Sequence, residues 1–218
     1  VYDRAALALS EADLKTLEAE GRKPHWRFKL SGGRAEWNDL VRGQQSIDTS
    51  SVSDPVLIRE DGSFLYTMPS VADDIDAKIT HVIRGEDHVT NSGAQIEIFE
   101  ALGATIPIFA HMPLLVDAAG GGISKRDLEG RLAIGNLRDE GYEPLALICY
   151  LGRIGTSDPV EPAESNLALA KTFAFEKMGR APARFHDEDL DRLNAALLHA
   201  MPYAVAKPRL EAMDADAG

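Results

Sequence analysis

One stretch, residues 80–130, constrains this chain more than any other. It opens THVIRGEDHVTNSGAQIEIFEALG and closes HMPLLVDAAGGGISKRD. Three apolar-leaning residues, His81, Val82 and Ile83, read as a short strand that breaks at Arg84-Gly85 into the acidic turn Glu86-Asp87-His88. A helix follows, with Thr90 or Asn91 as candidate N-cap, an apolar face at Ile96, Phe99 and Leu102, and Gly103 as its stop. A second strand is expected from Met112 to Val116, running into a glycine triplet and the cluster Ser124-Lys125-Arg126. Strand, helix and strand in this order form the βαβ unit of a parallel sheet, whose ligands sit outside the carboxyl ends of the strands. That reading gathers Arg84, Glu86, His88, Ser124 and Lys125 around one crevice.

The residues on either side support an α/β chain with separable parts. Ser10 and Asp13 make a capping box for a helix that Gly21 ends, with Leu14 and Leu17 covering a surface. HWRFKL alternates Trp26, Phe28 and Leu30 against His25, Arg27 and Lys29, and Gly32-Gly33 then turn the chain toward Trp37, so a hairpin is expected. The polar VRGQQSIDTSS that follows reads as a loop. A second hairpin, VLIR–EDG–SFLYT, turns at Asp61-Gly62. MPSVADDIDA is a short helix with Pro69 in its first turn. Its neighbours Asp73 and Asp74 cannot face each other on a helix, so they read as structural carboxylates rather than a metal or acid–base pair.

Beyond residue 127, two helices split by Gly141 and Pro144 are expected, the second buried through Leu145, Ile148, Cys149 and Leu151. A Gly/Pro/Ser/Asp linker spans 153–165. Helices LALAKTF and DEDLDRLNAALLHAM follow, the latter with Asp187 as cap and Leu190, Leu193 and Leu197 on its apolar stripe, before an acidic, frayed tail after Pro208.

Composition narrows the function classes. With 35 acidic against 23 basic residues the formal charge is −12, which argues against a protein that coats nucleic acid through a basic field. The single cysteine, Cys149, lies in an apolar run and reads as a buried structural thiol. No apolar run reaches the length of a membrane span, no signal-peptide pattern opens the chain, and a cytoplasmic compartment fits. His81, His88 and His111 lack zinc-ligand spacing, so zinc is not expected. Neither GxxxxGK[ST] nor GxGxxG occurs, which removes generic P-loop and dehydrogenase readings.

Taken together, FLYTMPSVADDID, VIRGEDH and Gly122-Ile123-Ser124-Lys125-Arg126 resemble the bacterial glutamyl-tRNA synthetases, a family of class I aminoacyl-tRNA synthetases, and the resemblance runs over essentially the whole chain. It implies the second half of a Rossmann-type catalytic domain (66–127) with a KMSKS-type loop. A β-containing insertion that holds the tRNA acceptor end (1–65) precedes it, and a helical stem-contact region (128–218) follows. Lys125 becomes the cation on the ATP phosphates, supported by Ser124 and Arg126. A flexible-loop lysine suits that task as a compact point charge. Glu86, His88 and Leu115 fall near ATP, and Tyr66, Ser70 and Arg84 near the amino acid, where an arginine fork matches a carboxylate. ATP would bring Mg²⁺ held by its own phosphates. The partners implied are tRNA, glutamate and ATP, with no DNA and no membrane.

The basic face His25, Arg27 and Lys29 reads as a solvated strand face or, under the resemblance, as a phosphate contact. Two departures stand out: Ser70 replaces a frequent asparagine, and Gly122 replaces the first lysine of the KMSKS-type loop. The His-x-Gly-His signature is absent, the chain begins at Val1, and no anticodon-binding region follows. The expectation is an internal piece of a synthetase that is inactive alone and exposes an apolar sheet edge. A paralogue charging tRNA for glutamine and a non-catalytic tRNA-binding module are the alternatives.

Overall fold

A computed structural model of the chain describes residues 1–123, 130 and 132–216, with side chains up to residue 212. The chain divides into two compact units, Val1–Met112 and Pro113–Gly218.

The first unit is built on helix α3 (Val89–Ala101). Seven of its residues are buried, Ser92 to Ile96 in an unbroken run and then Ile98 and Phe99. Burial around the helix rather than along one stripe marks a core element. Ile96 packs with Ala35 and Phe109, flanked by Trp37 and Val82. Ile98 and Phe99 pack with Val71 of α2 (Thr67–Asp76), flanked by Phe28, Leu57 and Ile75. Each such fully buried side chain contributes about 1.5–3 kcal/mol relative to exposure. Leu102, expected on the apolar face, is the C-cap residue and is half exposed. Gly103 ends the helix at a φ of +64°. The N-terminus also differs from expectation. A 3₁₀ turn, Glu86–His88, leads directly into Val89, and His88 occupies the N-cap position without a side-chain cap bond, so neither Thr90 nor Asn91 caps.

The parallel pair is β5 (His81–Gly85) and β6 (Ile108–Met112), with Arg84 opposite His111. The second strand therefore lies earlier than Met112–Val116. Pro113 cannot donate to a ladder and ends the strand there. Leu115–Val116 instead forms β7 in the second unit.

The hairpins are redistributed. Trp26–Arg27 (β1) pairs antiparallel with Val56–Ile58 (β4), not across Gly32-Gly33. Trp26 is exposed while Leu30 is fully buried, so the expected common face does not exist. The true hairpin joins β2 (Arg34–Asp39) to β3 (Gly43–Asp48), placing the polar segment expected as a loop in a strand. Its burial alternates through Gly43, Gln45 and Ile47, a half-covered strand with only one apolar residue to betray its period. Asp39 shapes the turn by accepting the N–H groups of Val41 (3.1 Å) and Arg42 (3.0 Å). The EDG turn stands as expected, with Gly62 at φ +83° and Ile58 bridged to Phe64.

The capping box of α1 (Glu11–Ala19) forms with both bonds, but the helix buries no residue, so Leu14 and Leu17 do not cover a core. The segment before it is held by Arg4, whose Nε and Nη2 both donate to the buried Asp54 carboxylate at 2.7 Å.

The second unit pairs β7 in parallel with β8 (Ala183–Arg184) and adds α4 (Ile134–Asp139), α5 (Pro144–Arg153), α6 (Asn166–Thr172), α7 (Asp187–His199) and α8 (Tyr203–Asp216). Its core joins Leu137, Ala146, Cys149, Tyr150, Leu169, Leu190 and Leu193. The buried face of α5 is Ala146, Cys149 and Tyr150, whereas Ile148 and Leu151 are exposed. The apolar run concealed which side faces inward. Tyr150 sets the start of α7: its hydroxyl donates to the His186 carbonyl (3.0 Å) and accepts the His186 N–H (2.6 Å). His186, not Asp187, is therefore the N-cap residue, and Asp187 is the first helical residue. The tail expected to fray after Pro208 is helical through Asp216, with Pro208 inside the helix.

Candidate functional site

In the parallel register Arg84 and His111 are neighbours on one side of the β5–β6 pair, and α3 supplies Ser92 and Gln95 against them. Buried polar side chains survive in such a place only when hydrogen-bonded, and these are. Arg84 Nη2 donates to Ser92 Oγ (2.6 Å) and to Gln95 Oε1 (2.7 Å). Ser92 Oγ lies 2.8 Å from His111 Nε2, and His111 Nδ1 lies 2.5 Å from Asp39 Oδ2. Asp39 also accepts the His111 backbone N–H (3.1 Å), in addition to the two turn N–H groups. Ser92, His111, Gln95 and Asp39 are all at most 2% exposed. The Arg84 guanidinium sits 5.5 Å from the Phe109 ring centroid, which completes its bed.

Electrostatics follow from this packing. Burial is the largest influence on His111 and pushes it down, and the nearby Arg84 and Arg42 charges add to that, while Asp39 opposes. The imidazole is therefore neutral, with Nδ1–H directed at Asp39. Burial pushes Asp39 up, but the N–H groups of Arg42, His111 and Val41 together with the His111 ring outweigh it, and its carboxyl is held below the usual range. Asp74 is raised by burial, against the pull of Arg84.

Several of the sequence-expected residues meet here. Tyr66, half exposed, stands edge-on to His88, with ring centroids 6.0 Å apart and its hydroxyl 3.4 Å from Nδ1. Asn91 Nδ2 bonds the Tyr66 hydroxyl and lies 3.2 Å from His88 Nδ1. Ser70 Oγ accepts from Gln95 Nε2 at 3.4 Å, which links it through Gln95 to Arg84. Glu86 forms an ion pair with Arg42. Leu115 belongs to the second unit, where it packs against that unit's core. Ser124, Lys125 and Arg126 lie outside the described residues. The turn that precedes them is described. Asp117 Oδ1 accepts the Gly121 N–H (2.7 Å), the Asp117 N–H bonds the Gly121 carbonyl (2.7 Å), and Gly120 takes φ +91°. Among the described residues no three His, Cys, Asp or Glu side chains form a group able to hold a metal ion.

Sequence reasoning missed Asp39, Ser92, Gln95, His111, Asn91 and Arg42. One signal was present: His88, Ser92 and Gln95 fall at i, i+4 and i+7, a polar row that starts at the N-cap of the helix. Asp39 lies 72 residues from His111 and carried no local signal.

A short parallel pair bearing an arginine at a strand's carboxyl end, followed by a polar turn and helix, puts polar groups where the ligands of α/β sheets bind. The comparisons make this specific. The family described as tRNA synthetases class I (E and Q), catalytic domain, matches residues 1–192, and the chain belongs to that family. Its α/β fold is the one found in that family's catalytic domain. Among curated relatives it is 64% identical over 217 residues to glutamate–tRNA ligase 2 of Hyphomonas neptunium, covering 100% of this chain and 48% of that protein. It is 63% identical over 219 residues to glutamate–tRNA ligase 1 of Maricaulis maris, covering 100% of this chain and 49% of that protein. A crystal structure of a glutamate tRNA ligase from Elizabethkingia meningosepticum, in complex with its amino acid, superposes with a TM-score of 0.83 at 30% identity, covering 98% of this chain and 46% of that one. The chain spans about half the length of the curated relatives it matches. No described helix is long and apolar enough to cross a membrane.

Proposed function

We propose that this chain serves in a glutamate–tRNA ligase, which joins glutamate to ATP with release of pyrophosphate and then passes the glutamyl group to the 3′ end of tRNA in the cytoplasm. The observation that carries this reading is Arg84. Both Nη2 bonds are committed to Ser92 and Gln95, while Nη1 has no hydrogen-bond partner among the described residues. A guanidinium held on one side and open on the other is a ready receptor for a carboxylate. Tyr66 and Ser70 complete the amino-acid pocket, the tyrosine as a half-exposed wall and donor, the serine through its tie to Gln95.

Activation of a carboxylate by ATP requires little covalent work from the protein, so positioning and charge stabilisation dominate. Glu86 and His88 at the strand end, with Leu115, would line the nucleotide. Lys125, supported by Ser124 and Arg126, would neutralise charge as pyrophosphate leaves. Mg²⁺ would arrive with ATP and shield its phosphates. In this reading residues 1–65 hold the acceptor end, 66–127 carry the site and 128–218 meet the tRNA stem. The 218-residue chain by itself would be inactive.

The test is amino-acid-dependent pyrophosphate exchange and tRNA charging by the full-length protein. Glutamate-dependent activity that falls by at least about a hundredfold in Arg84→Ala supports the reading, as expected when a charged carboxylate contact is lost. Activity with glutamine in place of glutamate, or tRNA binding with no exchange at all, would overturn it.

A further inference from the structure

Asp39, His111 and Ser92 present the residue types and connectivity of a hydrolase triad, yet they cannot act as one. Ser92 and His111 have no solvent exposure, and the serine oxygen that would have to attack already accepts from the Arg84 cation at 2.6 Å. What the chain of bonds does instead follows from its donors. Asp39, ionised and fed by three backbone N–H groups, accepts from His111 Nδ1. That leaves His111 Nε2 as a lone pair, which accepts the Ser92 hydroxyl proton at 2.8 Å, closer than that hydroxyl's other acceptor, the His88 carbonyl at 3.2 Å, and also accepts from Arg84 Nε at 3.4 Å. The Ser92 oxygen is thereby turned to accept from Arg84 Nη2. The bonds run in one direction, from guanidinium through hydroxyl and imidazole to carboxylate, and each polarises the next.

We propose that Asp39, His111 and Ser92 are positioning residues that hold the Arg84 guanidinium so that Nη1 faces the carboxylate of the amino-acid substrate. The inference rests on the assignment of Arg84 as that carboxylate's anchor. None of the three touches substrate in this scheme. Gln95 holds the second Nη2 proton, and Phe109 lies beneath the guanidinium plane, so rotation about the long arginine side chain is blocked from two sides. The polarisation also carries the Asp39 charge toward Arg84 without placing a carboxylate against it, which would compete with the substrate. A directly paired arginine would be a poor receptor.

The experiment uses the full-length protein with Ser92→Ala, Ser92→Thr, His111→Gln and Asp39→Asn, read out as separate KM values for glutamate and ATP alongside thermal unfolding. Ser92→Ala deletes a single oxygen and places a good helix former in α3, so it tests the relay without removing the core. The expected result is a rise of about tenfold to a hundredfold in KM for glutamate, the range for losing a hydrogen bond to a charged group, with KM for ATP unchanged. Ser92→Thr keeps the hydroxyl and is expected to restore most of the loss. Asp39→Asn and His111→Gln are expected to shift the same parameter. Lowered thermal stability with both KM values unchanged, or equal losses in both, would reduce the three residues to ordinary core polar groups and overturn the inference. A wild-type protein active on glutamate with unaltered variants sinks this inference alone. A wild-type protein indifferent to glutamate sinks the assignment of Arg84 as well.

Discussion

At the scale of single residues, His111 makes stability depend on pH in a definite direction. Its imidazole is kept neutral by burial, so the folded state binds its proton only below the ordinary histidine range. In the unfolded chain the same ring titrates near about 6.5. As pH falls through that value the unfolded state gains a proton that the folded state refuses, and unfolding is favoured. Above it the residue contributes its full stability. Urea unfolding midpoints are therefore expected to fall between about pH 7 and pH 5.5, and His111→Gln is expected to flatten that slope. An unchanged slope would mean that His111 is not kept neutral. Asp39 acts in the same sense at lower pH, since its carboxyl is held below the usual range and its contribution is lost only in acid. Gly122 offers a second test. A Cβ built there meets nothing within 4 Å, and the residue is not among the glycines with positive φ. Gly122→Lys is expected to leave the melting temperature unchanged while raising the rate of glutamate-dependent pyrophosphate exchange by supplying a second cation to the loop. A slower exchange would show that the glycine is required.

Among the elements, α3 is tightly constrained at Gly93. Glycine inside a helix ordinarily costs about 0.5–1 kcal/mol relative to alanine. At Gly93 the balance reverses, because a Cβ would lie 2.9 Å from Ile47 Cβ and 3.0 Å from its Cγ2 on strand β3. The helix thus lies close against the hairpin, whose other strand ends at Asp39 and meets β6 through the Leu40 N–H on the Phe109 carbonyl (3.0 Å). Gly93→Ala is expected to destabilise by about 1–3 kcal/mol, the usual range for overpacking, measured by urea unfolding. A stabilised variant would show that the helix can step away freely. Helix α1 illustrates the opposite case. With a complete capping box and no buried residue, its stability is local.

For the molecule as a whole, the decisive feature is an uncovered sheet face in the first unit. Parallel strands are normally buried on both faces, yet Ile83 and Ile108 of the β5–β6 pair are 54% and 45% exposed. Ile79 and Ile106 are exposed beside them. An exposed apolar sheet face of this kind invites association with another chain. The 218-residue chain is expected to self-associate reversibly with rising concentration in sedimentation velocity, against the repulsion of its −12 charge, and Ile83→Lys is expected to suppress this. A wild-type chain that stays monomeric at high concentration would refute the prediction.

The sequence by itself determined the local features whose signals lie within a few residues. These are the Ser10–Asp13 capping box, the Gly103 and Gly141 stops, the Asp61-Gly62 turn, the helix pair split at Pro144 and the leucine stripe of α7. It also carried enough short motifs to mark the family and to nominate Tyr66, Ser70, Arg84 and His88, which the structure brings near one another. Only the tertiary structure decided which strands pair, because a polar strand such as Gly43–Asp48 differs from a loop only in having a partner. It likewise decided what stands behind Arg84. The Asp39–His111 bond closes a span of 72 residues, and a lone aspartate in a turn and a lone histidine before a proline carry no periodicity. Burial is what makes them bond, since each would be costly to desolvate without the other, and burial exists only once the chain has folded.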